Sequence, residues 1–451
     1  MKKTFSAKAF IGSVVILCFA TAAPALAVEA TSLRDSVAAT LAYNPTIKSF
    51  QEYHQAAEHD LKRARSGWFP RVDARAGFGM EQWSDSKTRT HKNGQYRQSN
   101  RDFYSRSEAS LTVSQTIWDG MATKNRVRMG QTRLDSAESR LYDNAEALGL
   151  DAVLAHVEVY RQRRIVALAE LNVKNHRSIL ASQHERHRSG ASTMADVTQT
   201  QSRLARTEAS LAESRSALEV AIANYKKLTG KEPGMVEAPT VPAEAYPSLE
   251  SALSRSQYDN PKVKTMRSDI ETAEAQAGLD SSAFSPQIYL EAGPTYNYRV
   301  GSALDDQGGM VVMLRANWNL FNGGYDYYNV KGSKARARQT RQELNSLVDS
   351  LIEQTEATWS ELMSSREQAR HFADAVDYST RTRDMYLEQF NVGQRSLLDV
   401  LDSENELFSY SIQLVTAQQN IVATQYRLLT LGGDFLASFQ FNRGDLVVST
   451  D

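Results

Sequence analysis

Between residues 197 and 225 an apolar side chain returns at every seventh position: Val197, Leu204, Leu211, Leu218 and Tyr225. The same beat recurs as Val400, Leu407, Leu414, Ile421 and Leu428. A strict heptad held over five steps predicts a helix that packs along one narrow seam, as in a coiled coil. A second helical pattern precedes each heptad. From Gly120 to about His187, for example, Leu150, Leu154 and Val157 share a face. At ~1.5 Å per residue, such a helix is on the order of 100 Å long.

Elsewhere the period falls to two, which predicts strands. Val72, Ala74, Ala76, Phe78 and Met80 alternate with Asp73, Arg75, Gly77 and Gly79. Ala109, Leu111, Val113 and Ile117 line one face of a return strand, and the polar stretch 82–106 between them reads as an exposed loop. Two further strands are expected at about 287–300 and 310–320, and a helix from Ser32 to Ser66. Phe69, Trp118, Phe284, Trp318 and Phe321 fall near strand ends, where a membrane barrel carries aromatic girdles. On the strands alone, a soluble hairpin with aromatics in its core fits as well.

The chain also duplicates itself. Leu33, Val37, Asn44, Pro45, Pro70, Val72 and Gly77 recur 216 residues later as Leu249, Leu253, Asn260, Pro261, Pro286, Ile288 and Gly293. After a 13-residue insertion in the first copy the offset becomes 203, so that Trp118-Asp119-Gly120 matches Phe321-Asn322-Gly323. Each copy reads helix, strand, loop, strand, long helix, turn, helix. The expected organisation is a first repeat at 28–230, a proline- and alanine-rich linker at 231–248, a second repeat at 249–433 and a tail at 434–451. Residues 71–232 and 295–451 contain no proline, which suits long helices.

Composition narrows the class. Residues 1–27 read as a secretory signal: Lys2, Lys3 and Lys8, then an apolar run from Ala9 to Ala20, then Ala25-Leu26-Ala27 as the cleavage site. Cleavage removes the only cysteine, Cys18, and Leu17 before it is a poor match to a lipoprotein site. No disulfide, thiol chemistry or lipid anchor is then expected. The remaining chain carries 49 basic and 53 acidic residues, without the basic stripe of a nucleic-acid partner. No segment approaches the ~18 consecutive apolar residues of a membrane helix, so any crossing falls to strands.

The candidate chemistry lies in two turns. Gly393 marks a tight turn, Ser396 is placed to cap a new helix, and Asp399 completes a Ser-x-x-Asp capping pattern with Asp402 one turn further on the same face. Gly190, Thr193 and Asp196 occupy the same slots 203 residues earlier. The tips are not equivalent: Asp402 corresponds to Gln199, and Arg395 to Ser192. His184 and His187 stand one turn apart but lack a third ligand, so a solvated helix end is expected and no metal. No nucleophile elbow, phosphate loop or paired-carboxylate motif suggests an enzyme or a cofactor.

The paired Asn-Pro sites, Pro70 and Pro286, Trp118-Asp119-Gly120 with Phe321-Asn322-Gly323, and above all Val392-Gly393-x-Arg395-Ser396-x-x-Asp399-Val400-Leu401-Asp402 resemble the TolC family of outer-membrane channel-tunnels. That resemblance implies an α+β membrane protein: a homotrimer with a coiled-coil tunnel of long α-helices in the periplasm and four transmembrane β-strands per chain, closing a 12-stranded barrel. Four strands cannot close a barrel alone, and an open edge in lipid costs several kcal/mol per unpaired group. The resemblance further implies Asp399 and Asp402 as carboxylate rings at the closed periplasmic entrance, responsive to divalent cations and pH. It implies Arg395 as a latch to Asp196 of the neighbouring chain. Two positions depart from the family pattern. Phe390 stands where the family has a latch tyrosine, and Ala195 where it has a hydroxyl, so closure is expected to rest on Arg395 and on Phe390 packing. The implied function is an exit duct for type I protein secretion, engaged by a periplasmic adaptor and an inner-membrane ABC or proton-driven transporter. Phe390 to Asn405 resembles the secretion branch more than the drug-efflux branch. A multidrug efflux component is the alternative; a soluble periplasmic coiled-coil adaptor is the alternative of another class.

Overall fold

The structure, a computed structural model, describes residues 30–82, 91–92, 95–96, 103–242, 246–300 and 306–447. The expected leader, with Cys18, and most of the expected loop 82–106 lie outside the described residues.

The expected helix 32–66 is two helices, α1 (Leu33–Tyr43) and α2 (Pro45–Arg65). The ring of Pro45 disfavours the helical conformation at the residue before it. Asn44 is accordingly extended and turns its side chain to cap α2, accepting from Thr46 N at 2.9 Å. The second repeat breaks identically between α5 (Leu249–Tyr258) and α6 (Pro261–Ser281), where Asn260 accepts from Lys262 N at 2.8 Å. Beyond the strands come α3 (Ala122–Arg188) and α7 (Tyr325–Asn391), each of 67 residues, and the heptad helices α4 (Met194–Thr229) and α8 (Leu397–Gly432), each of 36. Each long helix is flanked along its length by a short helix (α2 or α6) and by its own heptad helix. Because α3 also packs on α6 and α8, the two repeats interlock. Among the described residues, no helix is long and apolar enough to cross a membrane.

Four strands, β1 (Arg71–Glu81), β2 (Tyr104–Trp118), β3 (Gln287–Tyr298) and β4 (Asp306–Asn317), form one antiparallel sheet in chain order. β2 starts inside the expected loop. β4 starts four residues before its expected limit and ends three short of it, because Gly308 and Gly309 pair with Tyr296 and Thr295 rather than forming a loop. The register aligns apolar positions across all four strands, as in the row Val72, Val113, Ala292, Val312. Gly293 is required by this pairing, since a Cβ there would lie 1.8 Å from Leu111 O. β1 and β4 are the two outer strands of an open sheet.

The main core sits partway along α3, where Leu141, Ala145 and Val153 meet Val37 of α1, Tyr426 of α8 and Phe435. The segment expected as a tail is thus docked through α9 (Phe435–Ser438), with Phe435 fully buried. A Cβ on Gly149 would come within 2.4 Å of the Phe435 ring, so α3 keeps a glycine where the ring seats.

Candidate functional site

The two hairpin turns share one backbone solution. Gly190 and Gly393 have φ of +79° and +78°, a left-handed conformation that other residues adopt only with strain. Nothing lies near where a Cβ would sit, so conformation rather than space selects glycine.

Their carboxylates behave differently. At the first tip, Asp196 Oδ2 accepts from Thr193 N at 3.0 Å, Thr193 Oγ1 at 2.8 Å and Ser192 Oγ at 3.2 Å. Thr193 Oγ1 in turn accepts from Asp196 N at 3.2 Å, completing a capping box. The Thr193 backbone and hydroxyl donors hold the Asp196 carboxyl below its ordinary pKa. At the second tip only the forward half forms, with Ser396 Oγ accepting from Asp399 N at 3.2 Å. The Asp399 carboxylate faces Arg395 instead, 3.5 Å from its Nε, and Asp402 lies 3.2 Å from Arg203 of α4. The two side chains are 43% and 56% exposed, so both carboxylates stay open to solvent beside their arginines.

Within its own chain, Arg395 does not reach Asp196. Its guanidinium rests on the Tyr386 ring, 3.9 Å from the centroid, beside Asp399. Tyr386 thus supplies an aromatic surface one turn before Phe390. Phe390 itself is buried among Ile179, Leu397, Val400 and Leu401. Arg186 of α3 lies over its ring at 4.6 Å and donates to its carbonyl at 3.0 Å, joining the first hairpin to the second. Arg186 stands between His184 and His187, and no local motif marks it, because Phe390 is 204 residues away in sequence. His187 belongs to the first turn, with Nδ1 3.1 Å from Ser192 O.

Further up, Glu404 of α8 is only 5% exposed. It accepts from Arg383 of α7 at 3.0 Å and from Asn175 of α3 at 3.1 Å, so one carboxylate ties three helices. No local motif marks Glu404, because Asn175 is 229 residues away in sequence. The tips therefore combine half-exposed charge pairs at the end with a buried charged tie behind them.

The sequence profile of the outer membrane efflux protein family matches residues 37–231 and 252–434. The outer membrane efflux protein BepC of Brucella suis is 24% identical over 337 residues, 74% of this chain and 74% of its own. The alkaline protease secretion protein AprF of Pseudomonas aeruginosa is 22% identical over 424 residues, 90% of this chain and 85% of its own. The solved structure of the outer membrane protein VceC from Vibrio cholerae shares the fold with a TM-score of 0.76 at 16% identity, over 89% of this chain and 96% of that one. With both repeats inside the family profile and the sheet-on-hairpins fold shared, the chain belongs to the outer membrane efflux protein family of TolC-like channels, an outer-membrane protein reaching into the periplasm rather than a soluble adaptor.

Proposed function

We propose that three copies of this chain form a passive exit duct for type I protein secretion. Three four-stranded sheets close a 12-stranded barrel, and six helical hairpins form the tunnel beneath it. The observation that carries this reading is the open sheet. Every residue of β4 is exposed, including Met310, Val312 and Leu314, and the outer edges of β1 and β4 have no partner strand among the described residues. An open edge in lipid is costly, and pairing β4 of one protomer with β1 of the next removes it.

The lower end is the gate. Asp399 and Asp402 of three chains ring the entrance, each next to an arginine of its own chain. On closure Arg395 takes Asp196 of the neighbouring chain as its acceptor. The three capping bonds of Asp196 all fall on Oδ2, which leaves Oδ1 for that contact. A periplasmic adaptor and an inner-membrane transporter engage the tips and draw the second hairpin outward. The energy comes from the transporter; the duct needs no cofactor.

Protein cargo is favoured by the tip sequence from Phe390 to Asn405 and by similarity to AprF over 90% of this chain. Similarity to BepC, at 24% identity, supports a multidrug efflux component as the second reading. Deleting the gene in its host separates them. The expected result is loss of a secreted protein from the medium with drug tolerance unchanged. Unchanged secretion with heightened drug sensitivity would assign the duct to efflux instead.

A further inference from the structure

Directly below the sheet, where α2 ends and α3 begins, the two helices enclose a cleft of about 350 Å³. Small residues, Ala64, Gly67 and Gly130, are part of its lining. The helices touch there, since a Cβ on Gly130 would lie 3.2 Å from Leu61 Cα. Its rim carries three guanidiniums, Arg63, Arg126 and Arg133, against one carboxylate, Asp60. Asp60 pairs with Arg63 at 3.0 Å. Arg126 has Asp119 only at 3.9 Å, and that oxygen already accepts from Thr123 N at 2.7 Å and Thr123 Oγ1 at 2.6 Å. Arg133 has no ion-pair partner among the described residues. Arg133 thus faces the pocket without a carboxylate, and Arg126 with only a long, shared one beside a 3.4 Å bond to Thr123 Oγ1.

Aromatic residues lie in sequence between the cleft and the sheet. Trp68 and Phe69 follow the turn that ends α2, Trp118 ends β2, and all three side chains are exposed. Aromatic side chains of this kind sit at a membrane–water boundary. Arg63 lies about one helical turn from that level and Arg126 one turn into α3, roughly 6 Å at 1.5 Å per residue, with Arg133 two turns further along α3, roughly 10 Å beyond Arg126.

We propose that this cleft binds the phosphate diester of an anionic phospholipid in the periplasmic leaflet, with Arg126 and Arg133 as the clamp. The proposal rests on the reading that the sheet spans the outer membrane. A guanidinium presents a planar fork that matches phosphate oxygens in pairs. The charge left over in the cleft suits a headgroup with a net negative charge, and the acyl chains rise past Trp68 and Phe69. The clamp pair is not repeated, because the slot of Arg126 holds Asn329 in the second copy, although that of Arg133 keeps an arginine, Arg336. A trimer therefore carries one site per chain.

Native mass spectrometry of the full-length protein in detergent tests this with three probes: phosphatidylglycerol, phosphatidylcholine and glycerol 3-phosphate. Phosphatidylglycerol is expected to persist as a bound adduct. Arg126→Gln with Arg133→Gln should lower its retention at least fivefold, while Arg381→Gln, near the far end of α7 and outside any such cleft, should not. Equal retention of the two lipids, an unaffected clamp variant, or an equal loss in the Arg381 control would each overturn the proposal. Displacement by equimolar glycerol 3-phosphate would overturn the lipid assignment and leave a soluble phosphate as the ligand. The same spectra report the trimer separately. A trimer that retains no phosphatidylglycerol counts against the clamp, whereas a protein that never forms a trimer counts against the duct.

Discussion

Asp402 and Glu404 are two residues apart on α8, yet they face opposite demands. The Arg203–Asp402 pair is 31% and 56% exposed, so its removal is expected to cost less than about 1 kcal/mol. Glu404 is buried with Arg383, and breaking such a pair costs roughly 3–5 kcal/mol by stranding the remaining charge. The two tip carboxylates can therefore be removed without unfolding the hairpin, whereas Glu404 cannot. In reconstituted single channels, Asp399→Ala with Asp402→Ala should lower cation selectivity several-fold and abolish block by divalent cations. Retention of both properties would remove these residues from the gate. Asp399 and Asp402 stand out in the sequence because they sit in a compact turn motif. Arg186, Arg203 and Tyr386 do not, because each acquires meaning from a partner that only packing brings near.

At the scale of elements, one buried histidine joins pieces that the repeat treats separately. His156 of α3 has Nδ1 2.9 Å from Ser36 Oγ of α1 and Nε2 3.1 Å from Glu237 O of the inter-repeat segment. Ser36 Oγ is also 2.9 Å from the Tyr225 hydroxyl of α4. Burial lowers the His156 pKa below its ordinary 6.5, and nearby Arg163 adds to this while Glu237 opposes it. The neutral form is thus the one the fold prefers. Its contribution is complete above pH 6.5 and is lost as pH falls toward the lowered pKa. The unfolding midpoint should decline as pH drops below 6.5, and His156→Gln should flatten that decline. A slope that survives the substitution would place the titration elsewhere. Element type is legible from periodicity over these helices, and Asn44-Pro45 shows how one local residue pair splits a pattern that reads as continuous.

For the whole molecule, the decisive feature is what one chain lacks. The outer strands β1 and β4 are separated by three strand spacings of ~4.8 Å, about 14 Å, well beyond the ~7 Å limit for a disulfide. With Cys18 in the expected leader, the remaining chain has no cysteine to interfere. Single cysteines placed at Val72, Ala74 or Ala76 and paired with one at Met310, Val312 or Leu314 should oxidise between chains, giving dimer and trimer bands. Monomer alone in every pairing would exclude the closed barrel. The sequence by itself determined the duplicated order of helices and strands, the turn glycines and the insufficiency of four strands, because periodicity, proline and left-handed backbone are local properties. The tertiary structure alone decided which charges meet: Asp402 with Arg203, Arg186 with Phe390, Glu404 with Arg383 and Asn175. Most of those pairings join the two repeats across about 200 residues of chain, and no local pattern encodes a contact that exists only once long helices lie side by side.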